Sequence, residues 1–223
     1  MEGLEILDQK NVYEDTGFDQ EIDIDYLKNL KETSQIFLRV NGFIDNDPDF
    51  GDLTEEQFIN FFDKNVNQKV LSQFDELNVS EDFRSSMSNT YLSSDKKNKI
   101  FVFFVPTSTQ KSNVGIDTIK TFCRLVISLG CLEGIMISEK PLTSKSRELL
   151  ESSNVSTTFT RENIYNIISY VDHMFINIVD HCLSPEILKI YSGDELEGFL
   201  KEESLNPKEL PRIASSDPVA KFF

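Results

Sequence analysis

The stretch of this chain best suited to chemistry is Asp45-Asn46-Asp47-Pro48-Asp49-Phe50-Gly51-Asp52. Asp45, Asp47, Asp49 and Glu56 take the first, third, fifth and twelfth places of a calcium loop, whose carboxylates would surround a hard cation with oxygen. Phe50 stands where that loop needs glycine for its sharp turn, and Pro48 restricts the backbone between two of the ligands. An acidic surface turn is the preferred reading. His173 and His181 have no Cys or carboxylate pattern that would complete a zinc site. Their simpler role is hydrogen bonding on a half-buried surface, with Asp172 and Asp180 as neighbours. No serine lies in a nucleophile elbow, and no glycine cluster would cradle a phosphate. A nuclease-type metal site needs an acid on one strand and a Glu-x-Lys pair on the next, so that two carboxylates hold the ion. Glu139 and Lys140 are adjacent instead, which sends their side chains to opposite faces of a strand. No catalytic residue, cofactor or metal is expected.

The elements follow from periodicity and capping. Tyr26 to Val40 has a helical pattern ended by Asn41-Gly42. Thr54 with Gln57 forms a capping box, Glu55 and Glu56 suit the positive end of the helix dipole, and Phe58, Phe61 and Phe62 fall on one face. Ser85 to Asn98 is a polar stretch. The run Ile100-Phe101-Val102-Phe103-Phe104-Val105 reads as a buried strand stopped by Pro106. A helix opened by Gly115 carries Ile116, Ile119, Cys123, Val126 and Ile127 and closes at Gly130, and Gly134 to Ser138 gives a second strand. Strand, helix and strand predict a βαβ unit with parallel strands and a right-handed crossover. Thr143 or Ser144 would cap a helix carrying Leu149 and Leu150, and Thr160 a further one carrying Ile164, Ile167, Ile168 and Val171. Phe175 to Val179 reads as a strand. Ser192 with Glu195 makes another capping box, ahead of Leu196, Phe199 and Leu200.

Bulk properties narrow the function classes. The chain of 223 residues has 39% hydrophobic residues and 18 Phe, enough to build a core. Its longest apolar run, Ile100 to Val105, is far short of the ~20 residues that span a bilayer, and no basic-then-apolar leader opens it. A soluble, non-secreted protein is expected. Cys123, Cys131 and Cys182 match no zinc or redox spacing, so free thiols are expected. The net charge of −16 is uneven: residues 1–99 carry 22 acids against 10 bases, and residues 100–223 carry 16 against 12. Such a field repels phosphate backbones, so any DNA contact must be local or supported by basic partners. Residues 1–25 are acidic and aperiodic, a composition that reads as a disordered tail, with an acidic recruiting arm as the alternative.

The C-terminal stretch supplies the most specific signal. Leu210-Pro211-Arg212-Ile213, then Ala214-Ser215-Ser216, then Asp217-Pro218-Val219-Ala220-Lys221-Phe222-Phe223 resembles the signature of the fifth subunit of eukaryotic-type DNA-directed RNA polymerases and of its shorter archaeal counterpart. Asn177 to His181 and Ser184-Pro185-Glu186 resemble the strand and turn that open that family's C-terminal domain. Phe101 to Phe104 and Val114 to Cys123 resemble the strand and helix of its eukaryotic N-terminal domain, so the likeness spans roughly residues 26–223 in the family's order. It covers residues 26–100 only weakly.

The resemblance implies an α/β jaw domain over residues 26–171, with a βαβ core like that of restriction endonucleases but without catalytic residues. A small α+β assembly domain over residues 172–223 would follow. It implies no enzyme activity in the chain itself. It points to His181, Pro185, Leu210, Pro211, Arg212, Ile213, Asp217 and Pro218 as an interface with the largest polymerase subunit and other core subunits. It also points to Thr143, Ser144, Lys145 and Arg147 as the contact with downstream duplex DNA. Proline stiffens an irregular connector, Arg212 can grip a carboxylate in bidentate fashion, and Asp217 is placed to cap a helix. Pro211, Asp217 and Pro218 serve folding alone in the competing reading, and Thr143 to Arg147 a simple cap. Family members continue past the aromatic pair where this chain stops, so a fragment or a truncated assembly domain is expected. Ser144 replaces a common proline, which suggests a divergent cellular or viral lineage. The location would be the nucleus for a cellular subunit, and the virion or a cytoplasmic factory for a viral one. The alternative is an adaptor or regulatory protein on the same fold, acting outside the core enzyme.

Overall fold

The computed structural model describes residues 23–64, 67–110, 113–151, 166–179, 181, 193–214 and 217–222. Helix α1 runs over Ile24–Val40, two residues earlier than its apolar pattern begins. Asp23, which composition assigns to the acidic tail, caps it by accepting from the Tyr26 amide at 2.9 Å, and Asp25 lies in its first turn, where a carboxylate meets the helix dipole favourably. The helix ends at Asn41, and Gly42 follows at φ +75°, a left-handed conformation that a side chain would resist.

A mixed sheet of five strands forms the centre: β1 (Phe43–Ile44), β2 (Asn89–Ser93), β3 (Lys99–Phe104), β4 (Glu133–Ser138) and β5 (Asn166–Val171), in that spatial order. The first three are antiparallel, with Ile44 opposite Leu92 and Tyr91 opposite Ile100. The last three are parallel, with Val102 opposite Ile135 and Ile135 opposite Ile168. The expected βαβ unit is β3, then α5 (Ile116–Ser128), then β4. Gly134 lets α5 sit close to the sheet: a Cβ there would lie 2.8 Å from the Val126 side chain and 2.9 Å from the Phe122 ring.

Alternation along β3 divides the core in two. Ile100, Val102 and Phe104 pack toward α1 and α2 (Glu55–Lys64), together with Phe50, Phe58 and Phe62. Phe101 and Phe103 pack on the opposite face against α5 and α3 (Gln68–Leu77). Helices on both faces of a sheet leave the central strand dry on both sides, which is why it reads as an unbroken apolar run.

Four elements depart from the sequence reading. The residues assigned to a helix capped by Thr160 form β5 where they are described: Ile167, Ile168 and Val171 recur at helical spacing, but three of the six residues of β5 are β-branched aliphatics, which favour a strand once β4 offers a ladder. Thr160 and Ile164 lie outside the described residues. The polar stretch Ser85 to Asn98 contains the end of α4 (Phe83–Ser86), β2 and a tight turn with Lys96 at φ +58°. Helix α3, capped by Asn67, is not foreshadowed by the local pattern. Phe175 to Val179 pairs with no strand among the described residues. Phe175 and Ile178, three residues apart, are buried in the core while Ile176 and Val179 stay exposed, a spacing that does not follow a strand's two-residue period.

Candidate functional site

The C-terminal tail is built on α7 (Gly193–Glu202) and α8 (Pro218–Phe222), and residues 203–214 of the connector between them are exposed. Glu195 lies in the first turn of α7, while its expected partner Ser192 is outside the described residues. Along the connector, Leu205, Leu210 and Ile213 expose 40%, 36% and 58% of their surface, and Pro211 and Arg212 are also exposed. The end of the tail is fixed. Asp217 caps α8 by accepting from the Val219 amide at 2.9 Å, the role its place before Pro218 predicts. Phe222 is buried against Phe37, with ring centroids 5.3 Å apart at 78°, and its carbonyl accepts from Asn41 Nδ2 at 2.9 Å. His181 is exposed, rather than half-buried, and its amide donates to the Ile178 carbonyl. Pro185 lies outside the described residues.

The second group lies at the start of α6 (Ser144–Glu151). Thr143 caps it: its Oγ1 accepts from the Ser146 amide at 3.2 Å and lies 2.7 Å from Ser146 Oγ. Ser146 is buried and donates to the Val114 carbonyl, which ties this helix start to the segment leading into α5. The Thr143 hydroxyl is therefore engaged within the protein, and Ser144, Lys145 and Arg147 stand beside it, with Lys145 and Arg147 reaching toward solvent.

The acidic loop spends its carboxylates on protein donors. Asp45 accepts from Gln35 and from the Asp47 amide, Asp47 from the Tyr91 hydroxyl, and Asp49 from the Gly51 amide, while Arg39 lies 3.8 Å from both Asp45 and Asp49. Phe50, at the place where a calcium loop needs glycine, is fully buried. Among the described residues no group of three or more His, Cys, Asp or Glu is placed to hold a metal. His173 is exposed on a 3-10 turn, and Cys123 and Cys131 are buried free thiols whose pKa values burial pushes up to about 11. No described helix is long and apolar enough to cross a membrane.

Among the described residues, two buried cations escaped the sequence reading. Lys31 on α1 is fully buried, donates to the Met87 carbonyl at 2.8 Å and to the Tyr91 hydroxyl at 2.9 Å, and sits within 5.8 Å of four ring centroids, Phe50, Phe62, Tyr91 and Phe104. Burial lowers its pKa to about 8, partly opposed by Asp47 and Asp45. The available signal was its position on the stripe that carries the apolar residues Leu27, Leu30 and Leu38. Arg84 donates to Asp172 at 2.5 Å, to the Val105 carbonyl at 2.9 Å and to the Ile137 carbonyl at 3.3 Å, so one guanidinium joins the ends of β3, β4 and β5. Burial raises the Asp172 pKa while Arg84 lowers it, and burial prevails. Only the folded chain brings these distant residues together.

These features define a class: a mixed α/β sheet protein with an exposed C-terminal extension whose end is anchored in the core. Residues 176–223, which contain that extension, match the family described as RNA polymerase Rpb5, C-terminal domain. The chain is also similar to proteins named DNA-directed RNA polymerases I, II, and III subunit RPABC1. The Caenorhabditis briggsae protein is 26% identical over 129 residues, which is 58% of this chain and 56% of that one. The Caenorhabditis elegans protein is 25% identical over the same shares, and the Dictyostelium discoideum protein 24%, with 58% and 60% covered. The chain thus spans just over half the length of the curated relatives it matches. Both comparisons bear out the resemblance to the fifth polymerase subunit: the chain is Rpb5-like.

Proposed function

We propose that this chain is a non-catalytic subunit of a multi-subunit DNA-dependent RNA polymerase, working in the nucleus where the source is cellular. The observation that carries the reading is the exposed Leu210-Pro211-Arg212-Ile213 connector inside the segment that matches the Rpb5 C-terminal family. Residues 172–223 act as the assembly domain and anchor to the largest subunit, with Leu210 and Ile213 burying their side chains and Arg212 gripping a carboxylate or carbonyls of the partner. Asp217 and Pro218 shape the turn that presents the connector, and His181 and Pro185 belong to the same interface. Residues 26–171 form the jaw, on a restriction-endonuclease-like sheet without its catalytic residues. The start of α6 approaches downstream duplex DNA: Lys145 and Arg147 neutralise phosphates, Ser144 and free helix amides add hydrogen bonds, and Thr143 holds the turn.

Co-purification tests the assembly. Arg212→Ala is expected to weaken recovery of the largest subunit while leaving the chain folded, since Arg212 is exposed; undiminished recovery would remove it from the interface. Joint replacement of Lys145 and Arg147 by Ala is expected to diminish a crosslink from this loop to downstream DNA in the assembled enzyme. An unaltered crosslink would count against the contact.

A further inference from the structure

The parallel part of the sheet carries a groove on its α1 side, at the end where β4 and β5 begin. Alternation along β4 sets the faces: Gly134 faces Phe122 and Val126 of α5, so Glu133 and Ile135 face the other way, toward α1. Glu133 stands in one row with Ile100 of β3 and Asn166 of β5. The groove over this row has a volume of about 390 Å³, and Phe37 and Asn41 at the end of α1, with Ala220 of α8, form its walls. Phe37, Ile100 and Ile135 are buried, whereas Glu133 is half-exposed and Asn166 exposed. The acid therefore stands at the mouth, within reach of a ligand, with apolar surface behind it. An apolar concavity of this size with a few polar groups is the common form of a binding pocket.

The polar groups at the mouth are acceptors that lack donors. Among the described residues the Glu133 carboxylate has no hydrogen-bond or ion-pair partner, and burial raises its pKa with no positive charge in opposition. Lys99, the neighbour of Ile100, turns to the other face of the sheet, where its amine donates to the Leu129 carbonyl at 3.2 Å. Asn41 uses Nδ2 to donate to the Phe37 and Phe222 carbonyls, both at 2.9 Å, which leaves its Oδ1 as a second acceptor. Among the described residues no Lys, Arg or His lines the groove. The missing component is a cationic donor with apolar surface beside it, and the net charge of −16 favours its approach.

We propose that this groove receives an arginine side chain of a partner polypeptide, whose guanidinium pairs with the Glu133 carboxylate at the mouth while an adjacent apolar side chain enters against Phe37 and Ile135. Arginine suits the site better than lysine because its planar fork can grip a carboxylate through two parallel hydrogen bonds. The groove includes neither the Leu210 to Ile213 connector nor the α6 start, so its occupancy stands or falls separately from the polymerase reading.

The test is a nuclear magnetic resonance titration of the isotope-labelled full chain with the acetylated, amidated tripeptide Leu-Arg-Leu. A control peptide carries citrulline, the uncharged isostere, in place of arginine, and a second control is n-butylguanidinium alone. Amide shifts confined to residues 37–43, 133–135, 166–168 and 220, with affinity about tenfold weaker for the citrulline peptide, are the expected result, since a charged pair exceeds a neutral hydrogen bond by about that factor. Glu133→Gln is expected to abolish the preference for arginine. Should that variant fail to fold, Ala220→Leu, which narrows the groove, is expected to weaken binding of both peptides. Absence of shifts in this region or equal affinity for the citrulline peptide would overturn the proposal. So would n-butylguanidinium binding as tightly as the peptide, which assigns the groove to a small cation, or shifts that follow protein concentration alone, which assign it to a second copy.

Discussion

Lys31 shows what a single residue contributes to this core. Its amine is held by a carbonyl, a hydroxyl and four aromatic rings, yet burial still disfavours its charged form and brings its pKa from 10.5 to about 8. Below pH 8 the amine is protonated in both folded and unfolded chains, and the full cost of burying the charge is present. Between pH 8 and 10.5 the unfolded chain binds more protons, so the contribution of this group to stability rises with pH until both states are neutral. The shift corresponds to about 3 kcal/mol. Denaturant unfolding of the wild type and of Lys31→Met across this window checks the sign: the difference between them is expected to move toward the wild type as pH rises, and a flat difference would contradict it. Near the start of α1, Arg84 and Asp172 form a pair whose separation leaves a buried charge. Arg84→Ala is therefore expected to cost roughly 3–5 kcal/mol in the same measurement.

At the scale of elements, close approach decides more than propensity. Gly134→Ala would force the Val126 and Phe122 side chains away from β4, and a loss of about 1–3 kcal/mol is expected from thermal or denaturant unfolding. The anchoring of α8 through Phe222 and Phe37 should appear as a coupling of about 0.5–1.5 kcal/mol in a double-mutant cycle with leucine at both positions. The elements legible in the sequence were those with strong local signals: the Thr54 box, whose two reciprocal hydrogen bonds form at 2.9 and 3.3 Å, the β3 run, and the α5 helix between Gly115 and Gly130. Residues 166–171 misled because their apolar spacing fits a helix, whereas the choice was made by an adjacent strand that no local window contains. Tyr91 on β2 was hidden among polar neighbours for a similar reason, since much of that strand's character comes from the hairpin partner. The α6 cap was legible in Thr143, but its continuation through buried Ser146 to the Val114 carbonyl is a tertiary contact. Arg84 and Asp172, 88 positions apart, carried no signal of their pairing.

Over the described residues, the two-faced sheet holds the fold, and in the proposed reading the exposed tail serves association. Aromatic packing on both sides of β3 holds the sheet, and the last helix returns to α1, so the connector before it is presented from a fixed end. The negative charge of the chain discourages independent binding to nucleic acid, which suits a protein whose basic α6 start would meet DNA only inside a larger assembly. The most direct measurement is affinity purification of the tagged chain from its native source, with mass spectrometry of the co-purifying proteins and their stoichiometry. Recovery of the two largest RNA polymerase subunits at about one copy each per chain is the predicted result. A folded chain recovered without them, or with other partners in their place, would contradict the subunit assignment.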